Sequence, residues 1–269
     1  MDGLYLYCLR EKIKNSPAIF AKGIDGKGEV FVLPCRQLEA VVSRISMDEF
    51  GSEEIQRKAR EDLNWIKEKS IAHEKVIEEA MTSDGKVLSV IPMRFGTIFE
   101  EEAKLKEIMN NAYLRIRKVI ERIRDKQEWS VKLYLMDRKK LEQAIREKNE
   151  AIKEKEKELA SLPEGMAFFM EEELKRLIAE EVDKELCNVI TSLFGKLSAR
   201  SVTSSQSKIL AMELTGRREP MVLNSAFLVR EQNVESFKKE VEELREQANT
   251  KGFCLEYSGP WPAFNFTSF

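Results

Sequence analysis

An α+β architecture is predicted by three observations. Short aromatic and β-branched runs recur near both ends of the 269-residue chain, amphipathic stretches of helical period separate them, and a nearly wholly charged segment with one thin apolar seam divides the two groups. Residues 4–9 (Leu-Tyr-Leu-Tyr-Cys-Leu) predict a buried strand that stops at Arg10-Glu11-Lys12. After Pro17, residues 18–21 and 29–33 flank Ile24-Asp25-Gly26-Lys27-Gly28, a hairpin turn supplied by Asp-Gly. Gly23, Gly26 and Gly28 resemble a phosphate cradle only superficially, because their order is not the dinucleotide fingerprint and no Gly-Lys-Ser/Thr follows.

Residues 38–45 fit a further strand. Ser52, Glu53 and Glu54 mark the start of a helix running to about Met81, with Ile55, Ala59, Leu63, Ile66, Ala72, Val76 and Ala80 on one apolar stripe. The only histidine, His73, lies on this helix and is expected to pack or hydrogen-bond, since no second histidine or nearby cysteine accompanies it. Residues 87–99 read as a strand bent at Pro92 and Gly96. Glu100, Glu101 and Glu102 open a helix to about Arg124; acids at the positive end of its dipole explain the cluster without a metal. Residues 129–135 alternate as the next strand.

The middle of the chain differs. Over residues 138–160, Leu141, Ile145, Lys148, Ile152, Lys155 and Leu159 make a narrow helical seam; Pro163 and Gly165 interrupt it, and Leu174, Ile178, Val182, Leu186, Ile190 and Leu193 repeat on one face of a second helix. An antiparallel hairpin follows, its first arm on the order of 30 Å long, zipped against its neighbour because so thin a seam is not expected to enter a globular core. It is open to three uses: a homodimer seam, a separate partner site or an intramolecular support. Strands at 201–205 and 221–229, a helix at 234–250 ended by Gly252, and a strand at 253–258 complete the chain. The strand and helix groupings in both halves predict two small ferredoxin-like antiparallel sheet modules backed by helices, with the long helical hairpin. The expected division is an N-terminal α+β domain at 1–137, a helical-hairpin or coiled-coil insert at 138–198, and a C-terminal α+β domain with an aromatic tail at 199–269.

Lys plus Arg (45) nearly balances Asp plus Glu (47), which disfavours a nucleic-acid polycation. No apolar run approaches the roughly 18 residues of a membrane helix, so a soluble, cytoplasmic chain is expected. Cys8, Cys35, Cys187 and Cys254 are scattered without a CxxC pair, which predicts reduced, mostly buried thiols and neither a zinc site nor any other metal or cofactor. Four of the last nine residues are aromatic (Trp261, Phe264, Phe266, Phe269), too apolar a tail for water. It either docks on its own protein or anchors another; docking of Trp261 with partial exposure of the final phenylalanines is the expected division. Arg94 and Phe95 form a second candidate patch, with core packing the competing role for Phe95 and for Trp129.

Two function classes stay open on these residues. An enzyme would need a site built from Glu, Lys or Arg, because there is no nucleophile elbow, no thiol and histidine pair and no phosphate loop. An RNA-binding ferredoxin-like sheet is hinted at by Arg94-Phe95-Gly96, which lacks the flanking grammar of the usual motif. Arg115, Arg117, Lys118, Arg122 and Arg124 alternate with acids and read as a solvated helix face.

Four motifs in order, Pro92-Met93-Arg94-Phe95-Gly96-Thr97-Ile98-Phe99, Trp129-Ser130-Val131-Lys132-Leu133-Tyr134, Asn224-Ser225-Ala226-Phe227-Leu228-Val229 and Gly259-Pro260-Trp261-Pro262, resemble those of the gas vesicle accessory proteins of the F/L type. Leu4-Tyr5-Leu6-Tyr7 and His73-Glu74-Lys75-Val76 fit the same pattern, and the likeness extends over nearly the full chain. It departs near Cys8, where a glycine is common, and at Ala263, Phe264, Asn265 and Phe266, where the family often has Pro-Tyr-Ser-Phe. The resemblance implies a non-enzymatic, chaperone-like gas vesicle assembly factor and minor vesicle component. Such a protein would bind the hydrophobic major shell protein, limit its aggregation, and meet other gas vesicle accessory proteins, but neither nucleic acid nor lipid membrane. Trp261, Phe264 and Phe266, with Arg94 and Phe95, are the contact residues then expected, and cytoplasm and gas vesicle the locations.

Overall fold

Strand β1 (Asp2–Glu11) is buried almost end to end. Because successive side chains point to opposite faces, the burial of Leu4 and Leu6 together with Tyr5 and Tyr7 means that both faces of its sheet are covered. The computed structural model describes residues 2–14, 18–83 and 85–267. It divides into two units, Met1–Glu128 with Pro260–Phe269, and Trp129–Gly259.

In the first unit β1 is followed by β2 (Val30–Cys35) and β3 (Leu38–Ser46), then by helices α1 (Met47–Phe50), α2 (Ser52–Glu61) and α3 (Leu63–Ala80). The small ladder β4 (Thr82–Ser83) and β5 (Lys86–Val87), strands β6 (Val90–Pro92) and β7 (Ile98–Phe99), and helices α4 (Glu102–Asn111) and α5 (Tyr113–Ile123) complete it. The main sheet has the order β2-β3-β1-β6, with β7 also pairing β1, and among the described residues no helix lies between β1 and β2. Helix α3 packs on β1 through Val76, Ile77 and Ala80, while α4 and α5 bury Leu105, Met109, Ile116 and Ile120 against the sheet. A register shift between Leu6 and Cys8 leaves Tyr7 as an extra residue in β1, a bulge that twists the strand locally. At the outer edge, β2 carries Pro34, paired in register with Glu39.

Three segments of this unit differ from the sequence expectation. Residues 18–21 form no strand, the isolated bridge Lys22↔Glu29 coming after them, and Phe20 stays exposed. Instead the Glu79 carboxylate accepts from the Phe20 and Ala21 amides (2.9 and 2.8 Å), and Asp25 Oδ1 accepts from those of Lys27 and Gly28 (3.0 and 2.8 Å). Pro17 lies outside the described residues. The single helix expected from Ser52 breaks at Asp62, whose carboxylate accepts from the Asn64 and Trp65 amides and caps α3. Leu63, placed on the buried stripe by periodicity, is therefore 77% exposed on a first turn. The helix expected over 100–124 likewise divides, at Ala112.

The second unit contains β8 (Lys126–Leu135) from Trp129 onward, helices α6 (Arg138–Lys148), α7 (Glu150–Ala160) and α8 (Glu164–Ala199), β9 (Thr203–Gln206), α9 (Met212–Thr215), β10 (Met221–Arg230), α10 (Val234–Thr250) and β11 (Phe253–Trp261), which leaves the unit after Gly259. Its sheet order, β11-β8-β10-β9, is the fourth-first-third-second order of a ferredoxin-like fold, with α6 to α8 in the place of the first crossover helix. The hairpin is present as α6 and α7 against α8. It does not stay outside the globular core: Leu141, Ile152, Leu174, Ile178 and Val182 belong to one cluster with Val131 and Leu133 of β8, Phe227 of β10 and Phe237 of α10. Nor is the first arm one rod, because the Asn149 side chain accepts from the Ala151 and Ile152 amides and starts a new helix. Gly252, at φ +84°, ends α10, and its carbonyl accepts from the Met136 and Asp137 amides at the β8 to α6 junction. A side chain there would meet the Asp137 carbonyl at 3.0 Å.

All four cysteines are free; Cys8 and Cys35 are buried, Cys254 is half-buried, and Cys187 is exposed, against the expectation of mostly buried thiols. Buried Arg10 and Glu39 sit opposite each other across β1 and β3, Nε to Oε2 3.2 Å. Arg10 Nη1 also donates to the Ala80 carbonyl (2.6 Å), one of the last carbonyls of α3, where a cation is favoured. Breaking a buried pair leaves an uncompensated charge. Glu39→Gln is therefore expected to lower the unfolding free energy by about 3–5 kcal/mol. The double change Arg10→Met with Glu39→Leu should lose less than that single substitution, and urea unfolding of the three proteins measures both effects.

Candidate protein-interaction site

Residues 93–97 leave the sheet between β6 and β7, both of which pair with β1. The excursion is closed by the Met93 amide on the Tyr7 carbonyl (2.8 Å), the Leu6 amide on the Thr97 carbonyl (2.9 Å), and the Thr97 hydroxyl on the Arg94 carbonyl (2.7 Å). Gly96 takes φ +81°, which favours glycine, and its amide donates to the Tyr5 hydroxyl oxygen at 2.9 Å. Beneath the turn, Tyr5 Oη lies 3.0 Å from His73 Nδ1, and His73 Nε2 lies 3.1 Å from the Met93 carbonyl. A carbonyl can only accept, so the imidazole proton is on Nε2, Nδ1 accepts, and the Tyr5 hydroxyl donates. Burial, opposed only by the Met93 hydrogen bond, lowers the His73 pKa to about 4, which keeps the ring neutral as this network requires.

The neighbouring groups obey the same rule. Tyr7 accepts from the Ile24 amide (2.7 Å) and meets Ser43 Oγ at 2.8 Å; burial pushes its pKa up to about 12 and raises that of Tyr5 also. Phe95 packs edge-on against Tyr5, His73 and Trp65, with ring centroids 5.9–6.4 Å apart. Its half-buried ring thus holds the turn down, while Arg94 stands exposed on the turn. His73 has the packing and hydrogen-bonding role expected from its isolation in the sequence.

The tail is built differently. After Trp261, which is half-buried, Pro262 and Ala263 are buried and Phe264–Phe266 make a 3-10 turn. Phe266 points inside, Phe264 is 42% exposed, and Phe269 lies outside the described residues. The Arg122 guanidinium on α5 donates to the Phe266 carbonyl (2.5 Å). Buried Glu128 accepts from both the backbone amide and the side-chain amide of Asn265, at 3.1 and 2.6 Å. Burial lifts the Glu128 pKa to about 7, against the pull of those two Asn265 donors. The sequence marked Asn265 only as a departure from the family tail, and Glu128 not at all. A carboxylate and an amide 137 positions apart acquire meaning only once the tail is docked.

Among the described residues no group of three or more His, Cys, Asp or Glu side chains is arranged to hold a metal ion, and no helix is long and apolar enough to cross a membrane. Burial pushes the Cys8 thiol up to about 12, far from thiolate character at neutral pH. What the geometry offers is surface: a rigid turn displaying Arg94, and a clamped tail displaying Phe264.

His73 and Glu128 give stability opposite dependences on pH. The unfolded chain protonates His73 below about 6.5 while the fold resists until about 4, so stability is lost as pH falls through that window. The fold keeps the Glu128 proton up to about 7 while the unfolded chain releases it near 4.5, so stability is lost as pH rises between those values. Each effect amounts to up to about 3 kcal/mol. The wild-type profile should therefore be shallow between the two unfolded-state values, and Glu128→Gln should convert it to one rising steadily with pH. Urea unfolding across the acid range tests this, and an unchanged profile in the variant counts against it.

The sequence matches the family model described as gas vesicle synthesis protein GvpL/GvpF over residues 3–268. It is 24% identical over 264 residues to gas vesicle protein L of Streptomyces sp. (strain CB03234), covering 97% of this chain and 91% of that one. To gas vesicle protein F of Nostoc sp. (strain PCC 7120 / SAG 25.82 / UTEX 2576) it is 29% identical over 178 residues, 65% of this chain and 67% of the relative. The fold is similar to the crystal structure of gas vesicle protein GvpF from Anabaena sp. PCC7120, with a TM-score of 0.74 at 19% identity over 100% and 99% of the two chains. GvpF from Microcystis aeruginosa gives 0.67 at 19% identity over 99% of each. With the family pattern running nearly from end to end, this chain belongs to the GvpL/GvpF family of gas vesicle proteins.

Proposed function

We propose that this protein is a non-enzymatic assembly factor for gas vesicles and a minor component of the vesicle. It binds the hydrophobic major shell protein, limits its aggregation during vesicle formation, and works in the cytoplasm and at the growing vesicle beside other accessory proteins. The observation that carries this reading is the family match over residues 3–268. The two displayed patches support it, because a water-averse subunit is kept soluble by a partner that covers apolar surface reversibly. In this reading Phe264 and Arg94 touch the shell protein. Phe266 anchors the tail, while Trp261 and Phe95 brace the two patches from half-buried positions.

The test is dilution of purified shell subunit from denaturant in the presence of this protein, followed by light scattering and co-purification. Suppressed scattering and a recovered complex are expected. Phe264→Ser and Arg94→Ser should each weaken the complex by about 1–2 kcal/mol, roughly fivefold to thirtyfold, with the fold intact. Scattering unaffected by the protein, with no recovered complex, would end the proposal.

A further inference from the structure

The tail is fastened to the first unit through a buried acid. Glu128 is 4% exposed, and the gap it shares with Trp261, Pro262 and Ala263 is about 10 Å³, barely the volume that holds one water. Both of its oxygens face the strap formed by residues 262–267: Oε2 accepts from the Asn265 amide at 3.1 Å and Oε1 from Asn265 Nδ2 at 2.6 Å. Arg122 holds the Phe266 carbonyl, and the Thr267 hydroxyl donates to the Ala263 carbonyl (2.9 Å), which keeps the strap folded on itself. Hydration of the Glu128 carboxyl therefore requires the strap to lift.

No cation offsets a charge at that position. The stretches of chain that line the seat bring Glu79 at the end of α3, Lys86 of β5, Arg122 of α5, Arg124 and Asp125 in the turn before β8, and Lys126 of β8 itself. Glu79 is committed to the Phe20 and Ala21 amides, Arg122 to the Phe266 carbonyl and Lys126 to the Arg124 carbonyl (2.9 Å). Arg124 pairs with Glu11 (2.5 Å), and Lys86 and Asp125 are exposed. Residues 262–267 carry no charge, and Glu128 has no ion pair among the described residues. Two neutral donors replace poorly the water that a carboxylate loses on burial, so the seated strap favours the protonated acid, whose pKa is raised to about 7. A lifted strap returns the hydrated carboxyl toward its ordinary value near 4.5.

We propose that the C-terminal strap is a proton-controlled latch, seated while Glu128 holds its proton and released as that proton passes to solvent. The seated form binds the proton more tightly than the lifted form, so seating is strongest at acid pH and weakens as pH rises between the two values. From pH 6 to pH 8 the ratio of seated to lifted molecules falls about tenfold. Lifting turns Ala263 and Phe266, both buried when seated, out to water. In the shell-binding reading above, on which this one consequence rests, release adds Phe266 to Phe264 as an apolar contact. The latch itself involves no partner.

Hydrogen exchange of the full chain, with no shell protein present, tests the latch separately from that reading. Amides of residues 263–267 are compared with those of β1 at pH 6 and pH 8, after correction for the intrinsic pH dependence of exchange, with and without about 1 M urea. The strap should exchange faster than β1 and respond less to urea, because its opening exposes little surface. Its corrected rate should rise about tenfold from pH 6 to pH 8. Glu128→Gln, which cannot ionise, should abolish that rise, and Asn265→Ala should speed strap exchange at both pH values. The wild-type comparison stands even where a variant folds poorly. A strap that exchanges in step with β1 across urea, a corrected rate equal at the two pH values, or a rise that persists in a folded Glu128→Gln variant would each overturn the proposal.

Discussion

The first unit is organised around one requirement, that a phenol and an imidazole buried together have every polar atom satisfied without carrying charge. The Tyr5 oxygen receives the Gly96 amide and gives its proton to His73, whose remaining N–H reaches the Met93 carbonyl. With the ring neutral, only one proton arrangement meets all three contacts. Protonating the imidazole would turn Nδ1 into a second donor to the Tyr5 oxygen and take away the acceptor of the Tyr5 proton, and burial makes such a loss expensive. The strand supplying Tyr5, the helix supplying His73 and the turn displaying Arg94 are therefore mutually dependent. Phe95 seals the arrangement from above, so the same residue that looks like a surface anchor in the sequence acts as a lid on the polar cluster.

The second unit solves a different problem with similar economy. A ferredoxin-like sheet needs a helix across one face, and α8 is far longer than that task demands. Its C-terminal part contributes Leu193 and Leu197 to the core shared with β8 and β10, while its N-terminal part carries α7. The Asn149 cap lets α6 and α7 approach α8 along separate axes, so that Leu141 and Ile152 are both buried although neither helix is strongly apolar.

Much of this was legible in the sequence because alternation and helical period report burial directly. Helix α10 runs over the residues its apolar face marks, with Gly252 beyond it, and β10 and β11 fall where aromatic and β-branched residues cluster. Helix breaks were less visible. At Asp62 and Asn149 an apolar period continues across the break, and the competing signal is a single short polar side chain able to capture two backbone amides. The tail was recognisable as an apolar segment needing cover, but which phenylalanine turns inward depends on the Glu128 and Asn265 clamp, a contact with no local trace. Exposure of Cys187 was hidden similarly, since only the outer face of α8 places it in water.

Pro34 has a consequence for how the first sheet ends. Two residues, Arg36 and Gln37, connect β2 to β3, so Cys35 and Leu38 close the hairpin and the alternation turns the Pro34 nitrogen toward the outer border. That border lacks one rung: an extended visitor lying along it would find no donor at Pro34 and could not knit a continuous ladder. The sheet therefore carries its own stop at that margin, set by one ring closure on a backbone nitrogen.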